Sequence, residues 1–301
     1  MKKYFYCIVA IMLVTSFMCS CNNTSDQNSQ DNLISNAESY EETTSINSDS
    51  SEVEDGVLLL WKQKVLNSRG NTTITYTYDY DNNGREIKMI SESISSNSTT
   101  IKEYNEHGYL CLEYLTATNG IFVQYKTIET DSEGKILSEK YLSEDKKSII
   151  NEVVYVYDES GRLISKADKY ATYTYTYNDK GGYTVNNTDN EGKSVSLQKY
   201  DSKGNILEID TGYLTSVYTY EEDNMIKIVT TADGEDSSTE FIYNSFNKLE
   251  KVVSYDSNNE ISQTTYYEYD EHGNEIKKTE KNALGITSFT YISEYKMFKV
   301  G

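Results

Sequence analysis

Cys111 and His107 stand four residues apart, a combination that catalysis by a thiolate nucleophile could use. His107, however, lies in the stretch YNEHGYL, and His272 holds the same place in YDEHGNE, so the histidine belongs to a repeated turn. Cys111 falls in YLCLEYL, which predicts a small, buried side chain in a strand. The sequence has no Gly-x-Ser-x-Gly, His-Glu-x-x-His or phosphate-binding glycine loop. It therefore predicts no catalytic residue and a protein that is not an enzyme.

The stretch DYDNNG raises the possibility of a calcium site. Asp79, Asp81 and Asn83 alternate before Gly84, as at the start of a calcium-binding loop. Such a loop needs glutamate at its twelfth position, where this chain has Ile90. A tight turn explains the same residues, so we expect no metal and no cofactor.

The N-terminus, MKKYFYCIVAIMLVTSFMCSC, has the features of an export signal. Two lysines precede an apolar run over residues 4–18, shorter than the roughly 20 residues of a membrane-spanning helix. Cys21 ends this region behind the small Ser20, which resembles the lipobox of bacterial lipoproteins. We predict a signal peptide over residues 1–20 and a lipid on Cys21 that anchors the chain to a bacterial membrane, in the cell envelope or at the surface. Ordinary secretory cleavage nearby and an uncleaved short anchor are the alternatives.

The segment that follows Cys21 is predicted to be a tether. Residues 22–56 contain nine acidic residues and no Lys or Arg, and they are poor in apolar residues. Such a composition cannot offset the entropy lost on ordering, and as flexible coil it would reach about 30 Å. We predict the lipidated cysteine and a disordered tether at residues 21–56, and one folded domain at residues 57–301.

Charge and composition narrow the class of protein further. The chain has 48 acidic and 28 basic residues, a formal net charge of −20, which excludes nucleic acid as a partner because phosphates require basic patches. It has 29 Tyr but only 7 Phe, and no Pro. Such a composition favours extended strands and tight turns, and therefore an all-β fold.

A short motif, Tyr-(Asp/Asn)-x-x-(Gly/Asn), recurs from residue 72 onward, as in YDESGRL at residues 157–163. The Asp or Asn accepts a hydrogen bond from the backbone two residues later, and the Gly takes a left-handed conformation. Together they predict a three-residue hairpin loop with a bulge. The strict motif begins at Tyr80, Tyr104, Tyr157, Tyr177, Tyr200, Tyr243, Tyr255 and Tyr269. The structural turn residues that we single out are Tyr80, Asp81, Gly84, Tyr104, Asn105, Gly108, Tyr157, Asp158, Gly161, Tyr177, Asn178, Gly181, Tyr200, Asp201, Gly204, Tyr269, Asp270 and Gly273.

Each predicted hairpin carries its own cross-strand pair, because the residue before the Asp faces the residue two after the Gly. The expected pairs are Tyr104–Leu110, Tyr157–Leu163, Tyr200–Ile206, Tyr243–Leu249 and Tyr255–Ile261. Tyr80 and Tyr269 would instead face Glu86 and Glu275. We therefore expect those two hairpins to use a different register.

The strands alternate with a period of two. In TYTYTYN, Tyr173, Tyr175 and Tyr177 share one face and the threonines share the other. The spacing predicts 18 to 20 strands, and an open sheet beyond about ten strands curls or splits. The fold class is therefore an all-β, antiparallel β-hairpin repeat array that forms a curved or spiralling sheet with its Tyr/Leu face inward.

Tyr-Asp-x-x-Gly-Arg-Leu at residues 157–163 resembles the YD repeat of the Rhs and teneurin proteins, and the resemblance covers most of residues 72–290. It implies that successive hairpins wind into a spiralling β shell. The chain is thus identified as a short YD-repeat bacterial lipoprotein.

Two non-enzymatic functions fit this architecture. The preferred one is a scaffold that binds a protein partner along an exposed sheet edge or a concave face. The other is a glycan-binding surface, since tyrosine-rich sheets can stack on sugar rings. A relative or fragment of an Rhs-type toxin system is a further alternative. Cross-strand pairing already accounts for the tyrosines, which favours the protein scaffold.

Overall fold

The computed structural model describes residues 56–117 and 122–299. The predicted signal peptide, Cys21 and most of the tether lie outside the described residues. No helix in the described part of the chain has the length and hydropathy to cross a membrane.

All regular elements of the described residues are β-strands, which confirms the predicted all-β class. Their number, 20, agrees with the 18 to 20 expected from the spacing of the turns. The strands are β1 (Gly56–Asn67), β2 (Thr72–Tyr80), β3 (Glu86–Ser93), β4 (Asn97–Tyr104), β5 (Leu110–Ala117), β6 (Phe122–Thr130), β7 (Ile136–Leu142), β8 (Ile149–Tyr157), β9 (Leu163–Ala167), β10 (Ala171–Tyr177), β11 (Tyr183–Asp189), β12 (Ser194–Tyr200), β13 (Ile206–Asp210), β14 (Leu214–Glu221), β15 (Asn224–Ala232), β16 (Glu235–Tyr243), β17 (Leu249–Tyr255), β18 (Ile261–Tyr269), β19 (Glu275–Asn282) and β20 (Thr287–Lys299).

Each strand pairs antiparallel with the next, and the sheet closes because β1 also pairs with β20. This seam runs from Gly56 opposite Lys299 to Asn67 opposite Phe289. Right-handed twist accumulates over many strands and brings the two ends of a long sheet together. A closed sheet has no edge strand. The expectation that a partner binds along an exposed edge is therefore wrong.

The two faces of the closed sheet differ in burial. The face that carries Tyr173, Tyr175 and Tyr177 includes Val185, which is 4% exposed, whereas Val217 on the other face is 47% exposed. Side chains inside a closed sheet converge and shelter one another, while those outside diverge. The tyrosine-bearing face is therefore the inner face, as the sequence predicted, and the other is the outer face.

The wall of the barrel is a single layer of strands. Among the described residues, no large side chain is less than 2% exposed, although a core between two packed sheets would contain many such side chains. The most buried apolar side chains, Val253 at 2% exposure and Val65 and Val185 at 4%, are covered chiefly by their neighbours in the sheet.

The barrel has two rims with different turns. The repeat rim, as we call it, carries the nine turns that follow the even-numbered strands β2 to β18, together with the start of β1 and the end of β20. Seven strict motifs lie there, and that of Tyr255 lies at the opposite rim. The motifs therefore recur about every second strand rather than at every turn.

Candidate functional site

The turn at residues 158–162 shows how the repeat motif is used. The Asp158 amide donates to the carbonyl of Arg162, and the Gly161 amide donates to the carbonyl of Asp158, both at 2.9 Å. One carboxylate oxygen of Asp158 accepts the amides of Ser160 and Arg162 at 3.0 and 2.9 Å. Gly161 has φ 77°, the left-handed region. Hydrogen bonds from the Arg162 backbone and side chain hold the pKa of Asp158 below its ordinary value.

The other predicted turns are built in the same way. In each, the Asp or Asn side chain accepts two backbone amides, and the residue three positions later has a positive φ. These are Asp81 with Gly84, Asn105 with Gly108, Asn178 with Gly181, Asp201 with Gly204, and Asp270 with Gly273. Asn247 and Asn259 hold the same left-handed position with φ 59° and 60°.

The aromatic–aliphatic pairs lie where the spacing placed them. They are Tyr104–Leu110, Tyr157–Leu163, Tyr200–Ile206, Tyr243–Leu249 and Tyr255–Ile261.

The two glutamate-bearing hairpins use the same register as the others. Tyr80 lies opposite Glu86 and Tyr269 opposite Glu275. The expected change of register is therefore wrong. Asp79 pairs with Lys88, so Ile87 has no partner in the ladder. A bulge at Ile87, and not a change of register, therefore accommodates this residue.

Tyrosine hydroxyls join neighbouring hairpins at the repeat rim. The Tyr157 hydroxyl donates to the carbonyl of Ile136 at 2.9 Å. The ladder between β7 and β8 ends before this point, at Ser138 and Val154. The hydroxyl thus donates a hydrogen bond to a strand carbonyl that lies beyond the end of the ladder, a bond that phenylalanine cannot make.

The same hydroxyl–carbonyl bond occurs seven times in the described residues. The pairs are Tyr80–Leu60, Tyr104–Glu86, Tyr157–Ile136, Tyr177–Leu163, Tyr243–Met225, Tyr269–Leu249 and Tyr295–Glu275. Pairing patterns of the sequence did not reveal these bonds. The excess of Tyr over Phe, 29 against 7, is the signal that could have done so.

The arginine after the turn glycine links its own turn to the next hairpin. Arg162 Nε lies 2.7 Å from Asp158 Oδ2, and its guanidinium lies 4.5 Å from the ring centre of Tyr177. Arg85 makes the same bridge to Tyr104, also at 4.5 Å. Cation–π contact and ion pairing together hold adjacent turns side by side.

The turn glycines also make room for these long side chains. A Cβ atom on Gly108 would lie 2.7 Å from an Arg85 guanidinium nitrogen, and one on Gly161 would lie 2.8 Å from Lys135 Nζ. Glycine therefore serves both the left-handed conformation and the contact between turns.

The residues considered for catalysis do not form a pair of nucleophile and base. His107 and His272 are exposed at turn tips, and each Nε2 lies 3.6 Å from the glutamate that precedes it. Cys111 is half-buried at a bulge, with its thiol 3.4 Å from the Glu103 carbonyl. Its predicted burial is wrong, because the bulge turns this position out of the alternating pattern.

The residues considered for calcium are engaged in the turn. Asp81 accepts the amides of Asn83 and Arg85 at 2.9 Å and the Arg85 Nε at 2.8 Å. Partial burial raises the pKa of Asp81, but these hydrogen bonds outweigh it, so its pKa lies below the ordinary value. In residues 56–117 and 122–299 there is no group of three acidic, His or Cys side chains placed to hold a metal ion.

The inner face carries a row of alternating charges across five strands. Lys102 Nζ lies 2.9 Å from Glu86, and Lys126 Nζ lies 3.8 and 3.7 Å from Glu113 and Glu139. Three glutamates alternate with two lysines, so the charges largely compensate one another. The row therefore makes the inner face polar without giving it one sign of charge.

A cleft of about 410 Å³ opens at the repeat rim between β3 and β4. Its cations Arg85, Lys88 and Lys102 lie 2.6, 4.0 and 2.9 Å from carboxylates of Asp81, Asp79 and Glu86. Their charge is thus neutralised within the protein.

The exposed groups that remain lie elsewhere. On the outer face Tyr266 is 36% exposed, with Lys251 and Lys281 Nζ at 5.6 and 5.0 Å from its ring centre. Large apolar side chains stand on turn tips, Ile94 and Leu284 among them.

Comparison with known proteins gives a distant sequence similarity. No family model matches the chain. It is 26% identical over 193 residues to the tRNA3(Ser)-specific nuclease WapA of Bacillus spizizenii, which is 64% of this chain and 8% of that protein. The chain thus spans less than a tenth of the length of this curated relative.

Solved structures give loose superpositions. A porin-like protein from Bacteroides uniformis is 14% identical, with a TM-score of 0.36 over 79% of this chain and 98% of that one. One from Bacteroides vulgatus is 10% identical, with a TM-score of 0.35 and the same coverage. The Tc holotoxin pore of Photorhabdus luminescens is 13% identical, with a TM-score of 0.27 over 73% of this chain and 16% of that one. These similarities are too low to carry an inference about function.

Proposed function

We propose that this chain is an exported, lipid-anchored scaffold of the bacterial cell envelope that binds a protein partner and performs no chemistry. The observation that carries the proposal is the engagement of the repeat motif within the sheet. Its tyrosine hydroxyls bond strand carbonyls, its aspartates hold turn amides and its arginines bridge to the next hairpin. The distinctive residues of the sequence thus build the barrel, and binding falls to its exposed loops and outer face.

The anchor comes from the N-terminal sequence. Cys21 follows an apolar run and Ser20, and acidic residues without Lys or Arg separate it from β1. Because β1 begins at Gly56 on the repeat rim, the tether joins the barrel at that rim. The opposite rim is then the one farther from the point of attachment.

The burial of the tyrosines favours a protein partner over a glycan. Stacking on sugars needs open aromatic faces, yet the inner-face tyrosines are half-buried or buried, as Tyr218 is at 7% exposure. The same burial raises the pKa of Tyr218 and Tyr175 to about 12.

The similarity to the nuclease, 26% identity over 193 residues, does not carry that protein's activity over to this chain. Its name describes a much longer protein, of which this chain spans 8%. We therefore propose no nuclease activity for this chain.

The anchor is tested by the Cys21→Ser substitution. The wild-type chain should sediment with membranes and carry the mass of a diacylglycerol, and the variant should be released or accumulate as precursor. Equal membrane retention of the variant, without lipid mass on the wild type, would refute lipidation.

The binding mode is tested by proximity labelling of the anchored chain in cells, followed by substitution. An extended surface spreads its binding energy, so single alanine substitutions in exposed loops should weaken partner capture modestly. Deletion of the hairpin β12–β13, residues 194–210, should weaken it severely. A single His107→Ala that abolished a measured turnover without lowering stability would contradict the non-enzymatic proposal.

A second candidate, glycan binding, is favoured by the outer-face ring of Tyr266. This outer-face ring is exposed and flanked by Lys251 and Lys281, an arrangement suited to an acidic sugar. A glycan array probed with the wild type and with Tyr266→Ala separates the two. Loss of an array signal in the variant would support the glycan, and no signal with either chain would refute it.

A further inference from the structure

The opposite rim carries large apolar side chains that protrude into solvent. Ile94 is 93% exposed, Tyr213 is 85%, Leu284 is 81% and Tyr170 is 63%. Each stands in a turn that follows an odd-numbered strand. We call these four residues the apolar crown. A single exposed apolar side chain needs no explanation, but a set of them presented at one end of a protein can mark an interaction or membrane-contact surface.

The repeat rim lacks a comparable set among its described turns. Its tips are Asp, Glu, Asn, Ser, Lys and His, as in 81–84, 105–108 and 270–273. Phe246, 83% exposed, is the large apolar tip there. Among the turn tips of the described residues, the large apolar side chains are thus concentrated at the opposite rim, and Phe246 offers a matched control on the repeat rim.

The crown is distributed around the whole circumference. Its turns join β3–β4, β9–β10, β13–β14 and β19–β20, which are four or six strands apart around the closed sheet. At a strand spacing of about 4.8 Å, neighbouring members lie about 20 to 30 Å apart along the rim. A protein pocket could take one such side chain but not the full ring. A lipid interface accommodates each side chain separately and needs no complementary pockets.

The chemistry of the crown also fits the boundary between headgroups and acyl chains. Ile and Leu are apolar throughout, and tyrosine places an apolar ring and a polar hydroxyl at the interface. Lys169 Nζ lies 4.8 Å from the ring centre of Tyr170 and donates to the Ile150 carbonyl at 2.6 Å, so it holds this ring at the rim. The chain carries a net charge of −20, which favours zwitterionic over anionic lipid.

We propose that the opposite rim docks on a phospholipid bilayer by inserting the apolar crown into the interface. This contact is additional to a lipid on Cys21 and does not depend on it.

The test uses the full chain in vesicles that contain brominated phosphatidylcholine, with Trp61→Phe to remove the native tryptophan. In this background, Tyr213→Trp should be quenched by the brominated lipid several times more strongly than Phe246→Trp. Adding Ile94→Ser and Leu284→Ser to the Tyr213→Trp chain should reduce the quenching to the level of Phe246→Trp. These positions are exposed, so the thermal melt should stay unchanged.

Further arms separate the crown from the anchor and from other partners. Quenching of Tyr213→Trp that persists with Cys21→Ser would support the crown even if the anchor proposal failed. Equal quenching of Tyr213→Trp and Phe246→Trp would overturn the proposal. So would a blue shift of Tyr213→Trp without vesicles that grows with protein concentration, because a second copy would then cover the rim. Stronger quenching on phosphatidylglycerol would overturn the apolar mechanism.

Discussion

The hydroxyl–carbonyl bonds at the repeat rim predict one substitution that lowers the free energy of unfolding and another that raises it. Tyr157→Phe removes the 2.9 Å bond to the Ile136 carbonyl and leaves the ring in place. Such a bond contributes about 0.5 to 1.5 kcal/mol, and the half-buried position lets water replace part of it, so we expect about 0.5 to 1 kcal/mol. In a domain of this size that corresponds to a decrease of about 1 to 4 °C in Tm.

The opposite change tests the same reasoning as a gain. The hairpin after β6 has Thr130 where its neighbours have tyrosine, and the β5–β6 ladder ends at Leu112 and Thr127. The Leu110 carbonyl therefore holds the place that Ile136 holds in the β7–β8 pair. Thr130→Tyr should raise the free energy of unfolding by about 0.5 to 1 kcal/mol.

Both changes are measured by denaturant and thermal unfolding, with Tyr213→Phe as a control. The Tyr213 hydroxyl stands in an exposed turn, so its removal should leave the midpoint unchanged. If Tyr157→Phe matched the wild type and Thr130→Tyr gave no gain, the hydroxyl bonds would not stabilise the barrel, and the excess of tyrosine would need another explanation.

Three further changes follow from the turns, the buried hydroxyls and the seam. Gly204 has φ 86° and open space where a Cβ atom would lie. Gly204→Val should therefore lower the free energy of unfolding by about 1 to 3 kcal/mol through backbone strain alone, whereas Gly204→Asn should lower it much less. Equal denaturant midpoints for the two variants would refute the turn assignment. Burial raises the pKa of Tyr175 and Tyr218 from 10.0 to about 12. Because the neutral hydroxyl is favoured in the folded state, its contribution to stability is complete below pH 10 and is lost as the pH rises towards 12. Tyrosinate absorbance and circular dichroism should therefore change together in that window, and ionisation at pH 10 without unfolding would contradict this. Removal of residues 287–301 deletes β20 and leaves β1 and β19 each with an unpaired edge. Because unpaired edges template pairing with another chain, the truncated protein should self-associate in gel filtration. A stable monomer would show that closure is dispensable.

The local structure of this protein follows from its sequence. The turn at Asp158 and the pair of Tyr157 with Leu163 depend on residues within seven positions, so turn chemistry alone specifies them. The alternation around Tyr175 specifies which side chains share a face. Even the placement of seven motifs at one rim could have been deduced by counting the strands between them, because each intervening strand reverses the direction of the chain.

Closure, by contrast, depends on the whole sheet. The seam joins Lys64 to Glu294 at 2.8 Å, across 230 residues of sequence, and whether such partners meet depends on twist summed over 20 strands. The hydroxyl bond of Tyr157 depends on where the β7–β8 ladder stops, and the partial burial of Cys111 depends on a bulge. No local pattern specifies a ladder end or a bulge, because both result from fitting one hairpin against the next. The sequence therefore determined the hairpin, and the contacts between hairpins determined the barrel.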